Sequence, residues 1–218
     1  MNTFFQKLLL LIAIALLSCG NLFAQKSTEA PVSYGLVIDR SGSLRDDMRH
    51  VVAAAVAIIN GNQPSDETFV SRFTDRYHIE ILHDFTQDQT KLLNSLKGFQ
   101  AEGGQTALVD AVYLGAQHLV EKGTNSRRAL ILISDGDDRG SYYKTDFLLS
   151  YLHDKHVPVY VLAYVRNVKT EQGTKRYEKA LALLESLAQE NGGKVVLAEK
   201  AKELPDKAAD IVRLLRGN

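Results

Sequence analysis

Tyr34-Gly35-Leu36-Val37-Ile38-Asp39-Arg40-Ser41-Gly42-Ser43 joins a short apolar run to an Asp-x-Ser-x-Ser pentapeptide without a gap. A run this short, β-branched and apolar reads as a strand buried on both faces of a parallel sheet. The pentapeptide then begins at the carboxyl end of that strand, the edge where open α/β sheets carry their sites. Beyond it, Met48, Val51, Val52, Ala55, Val56 and Ile59 recur at helical spacing between Leu44 and Asn60, which predicts a helix buried along one face. The pentapeptide therefore occupies a strand–loop–helix corner.

Working outward, the chain alternates. Glu67 to Thr74 and Tyr77 to Phe85 are strand-like and separated only by Asp75-Arg76, the pattern of an antiparallel hairpin at a sheet edge. A short helix is predicted over Gln87 to Phe99 and a longer one over Ala107 to Lys122. Arg128 to Ser134 contains Ala129-Leu130-Ile131-Leu132-Ile133, apolar enough to be a central strand. Helix over Tyr142 to His156, strand over Val157 to Tyr164, helix over Arg176 to Glu190, strand over Lys194 to Leu197 and helix over Lys202 to Arg216 complete the order. The expected fold is α/β: a doubly wound, Rossmann-like, mostly parallel six-stranded sheet with one antiparallel edge strand and helices on both faces.

The first 24 residues read differently. A lone Lys7 precedes ten unbroken apolar residues, Leu8 to Leu17, and a small or neutral stretch from Ser18 to Ala24. These are the three regions of a secretory signal peptide, too short to span a bilayer permanently. Leu22-Phe23-Ala24 suits ordinary cleavage before Gln25, whereas Leu16-Leu17-Ser18-Cys19-Gly20 resembles a bacterial lipobox, which would lipidate Cys19. Both cuts stay open, and the expected location is periplasmic, envelope-associated or secreted. Gln25 to Val32, polar and holding Pro31, reads as a short tether ahead of one domain from residue 33 to 218. Cys19 is the only cysteine of the 218 residues, so no intramolecular disulfide can form and the core must carry the fold. Without residues 1–24 the chain has 25 basic against 26 acidic residues. That balance argues against a nucleic-acid partner, and leaves a lipid at Cys19 as the only expected link to a membrane.

The pentapeptide offers one carboxylate and two hydroxyls, hard oxygen donors that suit Mg²⁺, Mn²⁺ or Ca²⁺ rather than zinc or copper. Gly103-Gly104-Gln105-Thr106 lies just before a predicted helix, and Ser134-Asp135-Gly136-Asp137-Asp138 at the end of the central strand. If the first and fourth strands are neighbours where strand order reverses, both loops meet the pentapeptide in one crevice. Asp39, Ser41, Ser43, Thr106 and Asp135 would then converge. Capping of the next helix is the bland account of Ser41 and Ser43, but it leaves Thr106 and Asp135 unexplained. Asp137 and Asp138 read as a solvated acidic pair, with a role in supporting the metal's ligands from behind as the alternative, and His153 and His156, a helical turn apart without a third ligand, read as surface residues.

Asp39-x-Ser41-x-Ser43, Thr106 after Gly103-Gly104 and Asp135 in Ser-Asp-Gly together resemble the metal-ion-dependent adhesion site of von Willebrand factor type A domains, in particular those of exported bacterial proteins. The resemblance covers roughly residues 33 to 216. It implies that Ser41 and Ser43 coordinate the metal, that Thr106 does so directly or through water, and that Asp39 and Asp135 bind it or hold its waters. It further implies a non-enzymatic docking site in which an acidic side chain of a protein partner completes the metal's ligands. Alternatives are a metal-free structural module and a Mg²⁺-dependent phosphoryl-transfer hydrolase, although Ser41 stands where the second acid of such hydrolases would supply the proton. The partner's footprint is expected on the loops after the central and fifth strands, on Arg139, Tyr142, Tyr143 and Arg166. Lys169, Lys175 and Arg176 are expected in that same second loop, as basic and aromatic side chains suited to an acidic partner.

Overall fold

In the computed structural model, residues 30–166 and 169–217 are described. The expected signal segment, Cys19 and residues 25–29 of the tether lie outside them. Six strands form one sheet: β1 (Val32–Asp39), β2 (Glu67–Phe73), β3 (Ile79–Thr86), β4 (Arg127–Ser134), β5 (Val159–Ala163) and β6 (Val195–Leu197), in the order β3-β2-β1-β4-β5-β6. All neighbours pair in parallel except β2 with β3, so the hairpin supplies the antiparallel edge, as the sequence predicts.

Among the described residues six helices cover the sheet: α1 (Met48–Asn60), α2 (Gln89–Ser95), α3 (Leu108–Lys122), α4 (Thr145–Lys155), α5 (Glu171–Gln189) and α6 (Leu204–Arg216). Every residue of β1 is buried, as a strand flanked on both sides by strands and on both faces by helices must be. One apolar layer gathers Leu36 and Ile38 of β1 with Val51, Ile58 and Ile59 of α1 and Ile211 of α6. The other gathers Val37 with Leu108 and Val112 of α3, Leu148 of α4 and Leu184 of α5. Alternate side chains of β1 thus feed opposite layers, the period-2 rule applied to a strand buried twice. Each such side chain contributes about 1.5–3 kcal/mol of transfer free energy, and this burial holds the carboxyl end of β1 in place.

Several boundaries differ from expectation by a few residues, and two of these differences bear on the site. The corner after β1 is a 3₁₀ turn, Gly42–Asp47, before α1 begins. Helix α5 starts at Glu171 rather than Arg176, because the Thr170 hydroxyl accepts the Gly173 N–H over 3.0 Å and caps it. Lys175 and Arg176 are therefore helical, not loop residues. The connection from β5 is correspondingly shorter than the one expected between Tyr164 and Arg176.

Candidate metal site

Strand order reverses between β1 and β4, and their register sets Ile38 opposite Ile133. The next residues, Asp39 and Ser134, consequently end level, and Ser134 Oγ donates to Asp39 Oδ2 over 2.7 Å. The Ser41 N–H donates to Asp39 Oδ1 over 2.8 Å. Ser41 stands at the N-cap position of the 3₁₀ turn, yet its side chain makes no cap bond. Its hydroxyl lies 2.9 Å from that of Ser43 instead. The Ser41 and Ser43 side chains also hydrogen-bond Asp39 and Asp135 respectively. Ser41 is buried and Ser43 exposed, so the cluster opens to solvent at Ser43.

Thr106 lies on a second loop, laid against the pentapeptide by its backbone. The Glu102 N–H donates to the Arg40 carbonyl over 2.8 Å, and the Arg40 guanidinium pairs with the Glu102 carboxylate. These bonds lay residues 102–106 alongside the pentapeptide. The Thr106 carbonyl in turn accepts the N–H groups of Arg139 and Gly140, each over 2.9 Å. Thr106 is thereby joined to the site through its backbone, whereas Asp39, Ser41, Ser43 and Asp135 meet through side chains. Gly140 permits that closeness, since a Cβ there would sit 2.3 Å from the Gln105 carbonyl oxygen. Gly136, at φ +77°, occupies the left-handed region that favours glycine.

Electrostatics distinguish this corner. Burial, and then the charge of Asp135 beside it, push the Asp39 carboxyl up to about 7, against the lowering hydrogen bonds from Ser41 and Ser134. Burial raises Asp135 as well, against the hydrogen bond from Ser43. Two carboxylates that repel one another out of water favour a cation between them. Among the described residues no three His, Cys, Asp or Glu side chains converge anywhere, so any metal here would rest on two carboxylates and hydroxyls. That donor set, all hard oxygen, fits Mg²⁺, Mn²⁺ or Ca²⁺.

Asp138 corrects the reading of Asp137-Asp138 as a solvated pair. Its Oδ1 accepts the Leu108 N–H over 2.8 Å and the Ser141 hydroxyl over 2.6 Å, which caps α3 from another loop. Asp110, in the first turn of α3, returns the bond by accepting the N–H groups of Tyr142 and Tyr143 over 2.8 and 2.9 Å. These reciprocal bonds fix the Thr106 loop to the Asp135 loop. They span about thirty positions, and no local spacing marks them in the sequence.

The expected partner residues divide. Tyr142 is 75% exposed. Tyr143 is turned inward, its ring centroid 4.5 Å from that of Tyr113 and its plane stacked on Phe147. Arg139 pairs with Asp137, and Arg166 with Asp47. Arg166 and Val165 share a cleft of about 210 Å³ with Ser43 and Asp135, so the loop after β5 does border the cluster.

A doubly wound sheet with an oxygen-donor cluster at its reversal point defines the class of protein. Residues 35–137 match the family model of the von Willebrand factor type A domain. Similar solved folds include an aerotolerance-related membrane protein from Bacteroides fragilis, with 16% identity and a TM-score of 0.63 over 84% of this chain and 98% of that one. A von Willebrand factor type A protein from Catenulispora acidiphila has 15% identity and a TM-score of 0.64, over 86% of this chain and 43% of that one. The pilus adhesin SpaC from Lactobacillus rhamnosus GG has 12% identity and a TM-score of 0.65, over 87% of this chain and 31% of that one. No curated protein matches the sequence. The match over residues 35–137 and the shared sheet topology give this chain the von Willebrand factor type A fold.

Proposed function

We propose that this chain is an exported protein-binding module, not an enzyme, in which Asp39, Ser41, Ser43, Thr106 and Asp135 hold a divalent cation that accepts an acidic side chain of a partner. The observation that carries the reading is the pair of hydroxyls, Ser41 and Ser43, facing each other 2.9 Å apart beside two carboxylates. Serines that merely capped the helix would aim at backbone N–H groups.

A divalent cation bound there supplies Lewis acidity toward a carboxylate. The chain's own residues decide what that achieves. Three of the five donors would be neutral hydroxyls, weaker ligands than carboxylates, so the ion would keep Lewis acidity for a further, incoming carboxylate ligand. Ser43, at the open end, sets the side from which that anion approaches. Ser134 and the Ser41 N–H keep Asp39 oriented, so the donors are arranged before binding. No base stands beside a nucleophile in this cluster, which supports docking over turnover. A pilus adhesin among the relatives of this fold supports it too, as an analogy of fold alone.

The test is calorimetry with Mg²⁺ and Mn²⁺, followed by capture from an envelope extract in Mg²⁺ and in EDTA. Metal binding and a metal-dependent partner, both lost in Ser41→Ala, are expected. Absence of heat with either ion sinks the proposal, and so does metal-dependent phosphoester hydrolysis that Ser41→Ala removes. Export rests on residues 1–24. Mass spectrometry of the mature N-terminus separates a start at Gln25 from a lipidated Cys19, and an intact Met1 in the cytoplasmic fraction defeats it.

A further inference from the structure

We infer that the partner segment carries at least one further acidic residue beyond the one at the metal, and that this residue docks in a basic groove between α5 and the loop after β4. The inference rests on the metal-dependent reading above and extends it. The cleft bordered by Ser43 and Asp135 meets a second cleft of about 570 Å³ along Asp137, Arg176 and Ala180. The second one runs on past Arg139 and Lys179 to Thr145 and Ser186. Its volume is that of a cleft for a ligand of several groups rather than for one carboxylate.

Charge decides the occupant. Arg139, Arg176 and Lys179 line the groove, against Asp137 and Asp138. Asp138 is committed, accepting the Leu108 N–H and the Ser141 hydroxyl at the start of α3. Asp137 offers a single oxygen, Oδ2, to both Arg139 and Arg176. Among the described residues Lys179 forms no ion pair. Three cations facing one shared and one occupied carboxylate leave a positive surplus in the groove. A peptide leaving the metal site along this course meets guanidinium groups suited to bidentate carboxylate binding. An extended segment with successive acids fits this arrangement, and a neutral one gains nothing from it.

The experiment follows amide shifts of ¹⁵N-labelled protein, produced from the full-length chain, in saturating Mg²⁺. Two blocked hexapeptides are titrated, Gly-Gly-Asp-Gly-Gly-Gly and Gly-Gly-Asp-Glu-Glu-Glu. The acid-rich peptide should bind about tenfold tighter, as expected of two or three partly exposed ion pairs, and shift Gly136, Arg139, Thr145 and Lys179. Arg176→Gln with Lys179→Gln, both on the exposed face of α5, should reduce it to the level of the single-acid peptide. Equal affinities, shifts confined to the Ser43 and Asp135 loops, or no binding of either peptide at millimolar concentration overturn the groove. Tighter binding of hexathymidylate with the same shifts overturns it in favour of a polyphosphate ligand. An acid-rich preference that EDTA leaves unchanged upholds the groove and defeats the metal reading. Metal-dependent binding without that preference does the reverse.

Discussion

The two ends of the sheet bury carboxylates in opposite ways. At the amino end, Asp66 accepts the Val32 and Gln63 N–H groups and pairs with Arg216, whose side chain is itself only 6% exposed. Beside it, Glu67 accepts the Ser33 hydroxyl over 2.6 Å and the Thr124 N–H. Burial alone would raise both carboxyls, but these partners outweigh it and leave both below their ordinary range. At the carboxyl end burial prevails, joined at Asp39 by the charge of Asp135 and at Asp135 by that of Asp137, and both carboxyls are raised. The amino end contains its own counterion, and the carboxyl end has room for one from outside. A carboxylate with an internal cation serves the fold, whereas one without it is poised for a ligand.

The largest effect should come from breaking the complete end. Arg216→Met strands a fully buried Asp66, and removal of one partner from a buried pair costs about 3–5 kcal/mol. Urea denaturation at pH 7 should show that loss, and a change below 1 kcal/mol would mean the two ends are not different in kind. The pH dependence follows from the sign. Asp66 is depressed in the folded state, so the unfolded chain takes up the proton first as pH falls. Its contribution is present at neutral pH and is lost as pH falls from the ordinary carboxylate range toward the folded value. In Arg216→Met the acid limb of the stability curve should flatten.

Next in size is the metal increment at the carboxyl end. Mg²⁺ at about a hundred times its dissociation constant should add about 2.7 kcal/mol by mass action, and Asp39→Asn should remove that increment. Without metal, Asp39→Asn should cost little or even stabilise, because it deletes one of two repelling carboxylates while its amide oxygen still accepts the Ser41 N–H and its amide NH₂ can donate to the Ser134 hydroxyl. A loss of several kcal/mol in EDTA would show that Asp39 is structural after all, like Asp66.

Between these ends lies the cross-loop capping. Asp138→Ala should cost about 0.5–2 kcal/mol, the usual range for an N-cap. It should also weaken Mg²⁺ binding several-fold by loosening the Thr106 loop. Unchanged affinity in a destabilised variant would confine Asp138 to the helix.

The sequence foretells the carboxyl end better than the amino end for a physical reason. Asp39, Ser41 and Ser43 are two apart on one loop, and the apolar runs Tyr34–Ile38 and Ala129–Ile133 announce the two strands that bring Asp135 alongside. Strand-end loops gather by topology alone once strand order is known. Asp66 with Arg216, and Asp138 with Leu108, are pairings between distant segments that only side-chain geometry creates. The start of α5 was hidden differently. Glu171 to Lys175 lacks apolar periodicity, and the signal that was there, Thr170 three residues before the Gly173 N–H it caps, is a short-range polar one.

The smallest effect on stability, and the sharpest test of where a partner touches, concerns Tyr142. Its side chain is 75% exposed while its N–H is held by Asp110, so the backbone is fixed and the ring projects from a rigid platform. Tyr142→Ala should therefore change stability by less than about 0.5 kcal/mol, as surface substitutions do, and leave Mg²⁺ affinity as it was. Exposed tyrosines on fixed backbone suit interfaces because little side-chain entropy is lost on binding. Partner capture in Mg²⁺ should weaken at least fivefold. Tyr143, packed on Tyr113 and Phe147, provides the contrast, since Tyr143→Ala should cost stability first and binding only through it. If Tyr142→Ala leaves capture intact and Thr106→Ala abolishes it, the partner approaches from the side of Gly42 and Gly103 instead, where the pentapeptide and the Glu102 loop lie together.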